Sequence, residues 1–590
     1  MNSKKILSTA VLLALVLFLI TVPAIAQYGA DAISVYHLLI IAPDEFIEEL
    51  QPLKRFKDAS ARPTTLLSLT QVYSSFTEGD DAERVKRCIA YYEQTFGIHY
   101  VMLVGDVDKF PVRWRWWGRP GEEYWGVSDL YYADLYKYGT KTFDDWDLNN
   151  NGLYGEIEFY PDGTINNDWI DFLPDVAVGR VPASSDDEVE AYVNKVINYE
   201  MTTQPSNDWF KKAGLYTGNW SSGANTLQDD IGAYLENQGF SSIKRYWDFG
   251  NDQPPLGVPG AIINDMNSGV GFANYVGHGN IWGWANLGFG SAQLTGLNNS
   301  DKLPVAFGAA CETGYFAPMA RFQPYKDLNG QGHCGTILGE VLDPGPYPHV
   351  SLPKPAPLQD GQVFCDNANR EFDHWCFAEP FIFGSPTGPT GAIAYLGERT
   401  GGQSGALELD RYFFEAYDKG NKRVLGDMWM YMIEKYFYHY NLMDSHWWWF
   451  DPEQWQYGHI FDEPQKMILF GDPSLVAGGA FTITKSGTVY DVLASGPLFS
   501  YWRYRITGDV TVPTGETLTV YPYASVLFND GKKITALGTA SGDGLVVDGT
   551  PDEPVYFMSL GPDPQSERVV QGIKVKGQLR VRNGGQIKLQ

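Results

Sequence analysis

Phe272-Ala273-Asn274-Tyr275-Val276-Gly277-His278-Gly279 and Leu303-Pro304-Val305-Ala306-Phe307-Gly308-Ala309-Ala310-Cys311 are the two stretches that decide how this chain folds. Each is a short, uncharged, largely apolar run, as strands buried on both faces of a parallel sheet require. Each ends in a residue able to do chemistry, and those residues, His278 and Cys311, stand 33 positions apart. Working outward, further apolar runs fall at 36–42, 100–104, 213–216 and 391–396, and helical patterns at 44–57, 80–96, 225–238 and 261–268. Buried strands alternating with helices predict a parallel sheet covered on both faces. Ligands on such sheets bind beyond the carboxyl ends of the strands. We divide this part into two α/β units, 27–206 and 207–476, with the junction at Thr202-Thr203-Gln204-Pro205-Ser206-Asn207-Asp208.

From about residue 480 the helical patterns vanish. Short runs at 517–520, 525–528, 555–557 and 573–575 alternate with Gly508, Gly515, Gly531, Gly538, Gly549 and Gly577. Residues 477–590 therefore read as an all-β region. The rung-like spacing suggests a β-solenoid, with a β-sandwich as the rival.

The chain has 590 residues, and at ~150 residues per domain its length suggests three or four domains. With 44% hydrophobic and 19% charged residues it is able to bury real cores, so wholesale disorder is excluded. Lys plus Arg is 44 against 71 Asp plus Glu, a formal charge of −27 that phosphate backbones and anionic membranes repel. Residues 1–26 have the form of a signal peptide. Lys4 and Lys5 precede an apolar run from Ile6 to Val22, and Ala24-Ile25-Ala26 offers a cleavage site that leaves Gln27 as the mature N-terminus. An uncleaved anchor is the rival. We expect an exported protein with no membrane span once the leader is removed.

His278 and Cys311 form a constellation with a physical rationale. Adjacent strand ends hold side chains rigidly and set an imidazole near a thiol, which makes a nucleophile and its acid/base. The small neighbours leave room for a substrate backbone and free the Gly279 and Cys311 amides to face a developing oxyanion. The plain alternatives are a buried small Cys and a Gly-His-Gly turn. A serine-hydrolase Gly-x-Ser-x-Gly elbow and a His-Glu-x-x-His zinc motif are both absent from the sequence.

Val276-Gly277-His278-Gly279 followed by Ala309-Ala310-Cys311-Glu312-Thr313-Gly314 resembles the gingipain-type cysteine peptidases, members of the caspase-like fold group. Shorter matches in the same order include Val104-Gly105-Asp106, Ser128-Asp129-Leu130-Tyr131-Tyr132-Ala133-Asp134, Pro174 to Ala183, Phe377-Ala378-Glu379, Gly391-Ala392-Ile393-Ala394 and Gly471-Asp472-Pro473-Ser474. The resemblance implies a caspase-like parallel-sheet sandwich in two subdomains and a secreted endopeptidase acting on protein or peptide substrates. It implies Cys311 as nucleophile, His278 as general acid/base, and the Gly279 and Cys311 amides as oxyanion donors. Where the family carries an acid that orients the His, the gapless match puts Asn219. Where arginine-directed members carry the acid at the base of the S1 pocket, it puts Asp230, which would favour Arg or Lys at P1; a solvated helix acid is the rival reading. The aromatic lid expected after Ala394 is replaced by Leu396-Gly397-Glu398-Arg399. Asn219 keeps a second reading open, that of a weakly active or inactive peptidase-like binding or surface-display protein.

Asp145, Asp147, Asn149 and Asn151 space oxygen donors at alternate positions, and Glu156 falls at the twelfth position of the loop, as in an EF-hand. We expect a structural calcium there, a solvated Asn/Asp turn being the alternative, and no organic cofactor. The cysteines number five: Cys88, Cys311, Cys334, Cys365 and Cys376. The odd count leaves a thiol over. We expect one disulfide among Cys334, Cys365 and Cys376 rather than a zinc site with His374, and a lone helical Cys88. Trp447-Trp448-Trp449 reads as core packing before it reads as a binding groove.

Overall fold

The computed structural model describes residues between 36 and 581, apart from 318–324, 327–331, 334–375, 443–459, 489–502, 561–572 and several shorter stretches. The leader, Asn151, Cys334, Cys365, His374 and Trp447–Trp449 lie outside the described residues.

The main sheet takes its strands from β1 (Leu38–Ala42), β2 (Thr64–Ser68), β3 (Tyr100–Val104), β4 (Ala177–Val181), β5 (Lys212–Thr217), β6 (Ser241–Arg245), β7 (Phe272–Val276), β8 (Val305–Ala309), β9 (Ala394–Glu398) and β10 (Met467–Phe470). Their order across the sheet is β6-β5-β7-β8-β9-β10-β4-β3-β1-β2. Neighbours are parallel throughout except where β9 meets β10. The sheet is therefore two parallel blocks laid side by side in opposite directions, with their carboxyl edges on opposite sides. The strands β1, β3, β7 and β8 are buried along their whole length, as their unbroken apolar sequences demand.

The sheet runs unbroken across the division drawn at 206/207. The run Met467-Ile468-Leu469-Phe470 pairs with β4 of the first block, although it falls late in the chain. A buried ionic knot ties the same region down. Lys57 of α1 (Ile47–Ala59) meets Glu200 of α2 (Asp186–Thr202) at 3.0 Å and Asp472, just past β10, at 2.5 Å. On the second block, α3 (Ser222–Asn237) packs against α4 (Gly405–Asp418), which packs in turn against α5 (Leu425–Tyr440).

Beyond residue 480 the described strands pair in three parallel ladders. One runs through 481–483, 503–506, 525–529 and 556–560, a second through 487–488, 510–512, 534–536 and 573–575, and a third through 518–520, 543–547 and 578–581. Ile506, Val512, Leu518, Val526, Ile534 and Leu545 fill a core of their own.

Candidate active site

Three neighbouring strands of the second block build the site. Val276 at the end of β7 is level with Thr217 of β5 on one side and Ala309 of β8 on the other. Two positions past each of these residues, beyond the strand ends, come Asn219, His278 and Cys311. The ladder itself continues one step in that direction: the Gly218 N–H donates to Val276 O at 2.9 Å, and the Gly277 N–H to Ala309 O at 3.3 Å. The backbone on either side of His278 touches both neighbours. A Cβ on Gly277 would lie 2.9 Å from the Gly218 Cα, and one on Gly279 would lie 2.6 Å from the Cys311 carbonyl oxygen. Only glycine allows so close an approach.

The main chain at His278 is held from below. Its carbonyl accepts from the Tyr275 hydroxyl at 2.8 Å and from the Ala285 N–H at 3.0 Å. Tyr275 stacks on buried Trp284 at 4.9 Å. The His278 ring is exposed, and among the described residues it makes no hydrogen bond. Cys311 is half-buried and begins a tight turn. Glu312 takes a left-handed φ of 61°, a strained conformation for a non-glycine residue, placed where the chain must swing away from the thiol. The turn is fastened to the end of β9, since the Glu312 N–H donates to Thr400 O at 3.0 Å and the Gly314 N–H to Glu398 O at 2.8 Å. Among the described residues the Cys311 N–H meets no acceptor, which leaves it available to an oxyanion.

The thiol donates to the Gly402 carbonyl at 3.9 Å. Burial pushes it up to about 11, and the nearby Glu398 pushes in the same direction, so at neutral pH it rests protonated. Glu398 is the acid that the sequence reading missed. It ends β9, is buried, and neither of its carboxyl oxygens has a hydrogen-bond partner among the described residues. Burial raises its carboxyl well above the usual range, and Glu463 adds to the rise while Lys466 opposes it. Gly402 lies directly against it: a Cβ there would come 1.7 Å from Glu398 Oε2. The signal was present as a charged residue closing the apolar run 391–396.

Asp230 is placed elsewhere. It lies eight residues into α3, ~12 Å down the helix from the end nearest the strand tips, and is paired with Arg411 of α4 at 3.5 Å. Asn219 gives its Nδ2 to Asp252 Oδ1 at 3.1 Å. Trp220 and Trp282, near Asn219 and His278 in the chain, are both 41% exposed.

The acidic loop folds around Asp168, another residue the sequence reading passed over. Its two carboxylate oxygens accept from the Leu148 N–H at 2.9 Å and the Glu156 N–H at 2.8 Å. Burial pushes Asp168 up to about 8, and Glu156 and Asp147 add repulsion. Asp147 Oδ2 accepts from the Gly152 N–H at 2.8 Å, Asn149 Nδ2 donates to Glu156 Oε2 at 3.0 Å, and Asp145 accepts from the Asp147 N–H at 3.3 Å. Among the described residues no three carboxylate, His or Cys groups converge as a metal site. Cys88 and Cys376 are buried free thiols, and Cys334 and Cys365, the other two cysteines among which one disulfide is expected, lie outside the described residues.

An imidazole and a thiol at neighbouring carboxyl ends of a parallel block have the layout of a thiol hydrolase. The sequence model of peptidase family C25 matches residues 33–329. The chain belongs to this family, the gingipain-type cysteine peptidases. Among curated relatives, Lys-gingipain of Porphyromonas gingivalis is 27% identical over 258 residues, 42% of this chain and 12% of the relative. Gingipain R2 of the same species is 23% identical over 286 residues, 47% of this chain and 32% of the relative. The matches thus span from an eighth to a third of the relatives' own length. Two solved structures align at a TM-score of 0.49 and 18% identity: the complex of Porphyromonas gingivalis RgpB pro- and mature domains, over 77% of this chain and 84% of that one, and the Arg-specific cysteine proteinase gingipain R, over 78% and 84%.

Proposed function

We propose that this chain is a secreted cysteine endopeptidase in which Cys311 attacks the scissile carbonyl and His278 acts as general acid/base. The observation that supports this reading is the strand register, in which Val276 and Ala309 are level on adjacent parallel strands two residues before an exposed His278 and a half-buried Cys311. In the resting state the thiol proton faces Gly402 O. As the peptide enters, His278 takes that proton, sulfur bonds to the carbonyl carbon, and the Gly279 and Cys311 amides receive the oxyanion. Collapse of the adduct expels the amine, to which His278 returns the proton. Water, deprotonated by the same ring, then releases the acid and regenerates the thiol. Exposed Trp220 and Trp282 offer apolar walls to the substrate chain.

A preference for Arg or Lys at P1, the property printed in the names of the relatives, is supported here by Glu398 rather than Asp230. A basic side chain that displaces the Gly402 segment would meet an unpartnered buried carboxyl close to the nucleophile. The raised thiol and the absent imidazole contact favour one second reading, a binding protein with little or no turnover. A peptidyl thiol-directed inhibitor separates the two. The proposal requires labelling of Cys311, loss of labelling and of peptide hydrolysis in Cys311→Ala, and hydrolysis well above that variant's background in the parent chain. Labelling without hydrolysis would leave the binding protein.

We further propose export through the leader, a three-sided β-solenoid built on the ladders beyond residue 480, and calcium as the structural ligand of the 145–156 loop. Calcium binding would require Asn149 to present Oδ1 where Nδ2 now meets Glu156, with Asp147 and Asp168 turned toward the ion. Among the described residues no helix is long and apolar enough to cross a membrane.

A further inference from the structure

We propose that Asp252 is a positioning residue for the Cys311–His278 pair, acting through Asn219, so that a neutral amide backed by a carboxylate does the work of a directly bonded acid. The inference rests on the peptidase reading above. Asn219 and His278 each stand two residues beyond the paired positions Thr217 and Val276, and the Gly218 and Gly277 backbones touch beside them. Its amide has a donor end and an acceptor end. A carboxylate only accepts, so the contact with Asp252 at 3.1 Å must use Nδ2. That fixes the amide's orientation and leaves Oδ1 to accept the second ring N–H of His278. When His278 takes the thiol proton, the new positive charge is met by an amide dipole already polarised by Asp252.

The loop carrying Asp252 is built to hold it there. Asp248 and Gln253 exchange two backbone hydrogen bonds of 2.9 and 3.1 Å and close a short hairpin. The Asp248 carboxylate accepts from Gly250 N–H, Asn251 N–H and Asn251 Nδ2, at 2.9, 3.1 and 2.7 Å. Asp252 takes a left-handed φ of 53° in the turn that closes this hairpin, a conformation Asp tolerates. Trp247 ties the hairpin to β5, with its N–H on Thr217 Oγ1 at 2.8 Å and its indole Nε1 on Asp252 Oδ1 at 3.1 Å. Asp252 Oδ1 thus accepts both from Asn219 and from Trp247, the anchor of its own loop. The other acids at this edge, Glu312 and the deeper Glu398, surround Cys311, and no contact links either to Asn219.

The test is steady-state hydrolysis of a fluorogenic peptide by the full chain and by Asp252→Asn, Asn219→Ala and the double variant. Asn at position 252 keeps the shape and tolerates the left-handed backbone. The inference requires kcat to fall about tenfold in Asp252→Asn with KM within about twofold. It also requires the acidic limb of the kcat/KM profile to move to lower pH by about half a unit, the scale of a charge screened by one amide. The double variant should be no worse than the weaker single one, because both act on one contact. Asn219→Asp provides a second route, since a carboxylate bonded directly to His278 should make Asp252→Asn harmless in that background. Unchanged kcat and limb in Asp252→Asn, or losses that multiply in the double variant, would overturn the role of Asp252 alone. A parent chain without Cys311-dependent hydrolysis would overturn the peptidase reading, and this inference with it.

Discussion

Gly279→Ala isolates the spacing between the two reacting residues without removing any reacting group. Alanine keeps the residue 279 N–H, so the oxyanion donor survives. The added methyl would lie 2.6 Å from the Cys311 carbonyl oxygen and 2.8 Å from the Ala310 Cβ, where ordinary contact begins at 3.4 Å. The two chains must therefore part by about 0.8 Å, the difference between those distances. Both nearest groups are backbone or the first atom of a side chain, so no flexible end is free to swing aside. Displacement of a reacting pair by about 1 Å costs ~100-fold in rate, and overpacking of this kind costs about 1–3 kcal/mol in stability. We expect kcat/KM to fall by ~30- to 100-fold at 25 °C, with a folded chain by circular dichroism and a modest drop in Tm. Gly260→Ala is the control, because a Cβ there meets nothing within 4 Å and should leave both quantities unchanged. If Gly279→Ala keeps the parent kcat/KM while its Tm falls, the close approach of the two strands is a packing feature and does not set the geometry of catalysis.

Glu398→Gln should lower the ratio of kcat/KM for Lys or Arg over neutral P1 by ~10-fold or more, measured on matched peptide pairs. The same variant has a signed pH effect. The Glu398 carboxyl is raised in the folded state, so its contribution to stability is greatest below the ordinary carboxylate range and declines as pH rises toward the folded value. Relative to the parent, the variant should be more stable at pH 8 than at pH 5, by differential scanning calorimetry. Lys195→Met removes a buried ammonium that donates to Ile382 O, Thr390 O and Ala392 O at 2.5, 2.9 and 2.9 Å. Three stranded carbonyls should cost about 2–4 kcal/mol, visible as a lower urea midpoint. Millimolar calcium should raise Tm in the parent and not in Asp147→Asn/Glu156→Gln, and an equal rise in both would refute the loop as the site.

The strands that carry the chemistry were legible because burial on both faces leaves an unbroken apolar string, and β1, β3, β7 and β8 each have one. The helical patterns over 80–96 and 225–238 were likewise visible from their apolar spacing, whereas the caps Asp80 and Ser221, which set the starts of helices 81–96 and 222–237, were not read. What the strings could not show was direction. Met467–Phe470 is as apolar as any of them, yet nothing local states that it runs antiparallel to β9 and completes the other block, since that choice belongs to tertiary pairing. Thr64–Ser68 and Ser241–Arg245, edge strands of the sheet, were missed because an edge strand need not be wholly apolar. The same limit governed the site. His278 and Cys311 stand just past strand ends and could be found along the chain, whereas the contact of Asp252 with Asn219 comes from a separate hairpin with no spacing rule. Asp230 lies ~12 Å along α3, where it pairs with Arg411 of α4, a partner that no spacing in the sequence announces.

The charges around Cys311 give the arrangement its logic. A thiol among Glu398, Glu312 and Glu463 is poorly placed to ionise on its own, and its pKa of about 11 follows from burial and those neighbours. A resting enzyme of this kind keeps its nucleophile protonated and slow to oxidise, because thiolate character governs both reactivities. Ionisation then has to be supplied at the moment of binding. On the proposed reading, a cationic side chain set against Glu398 would remove part of the field that opposes the thiolate, and an imidazole braced through Asn219 and Asp252 would accept the proton. Specificity and activation would then share one electrostatic origin, in which the substrate's charge completes a site that the protein alone leaves unbalanced.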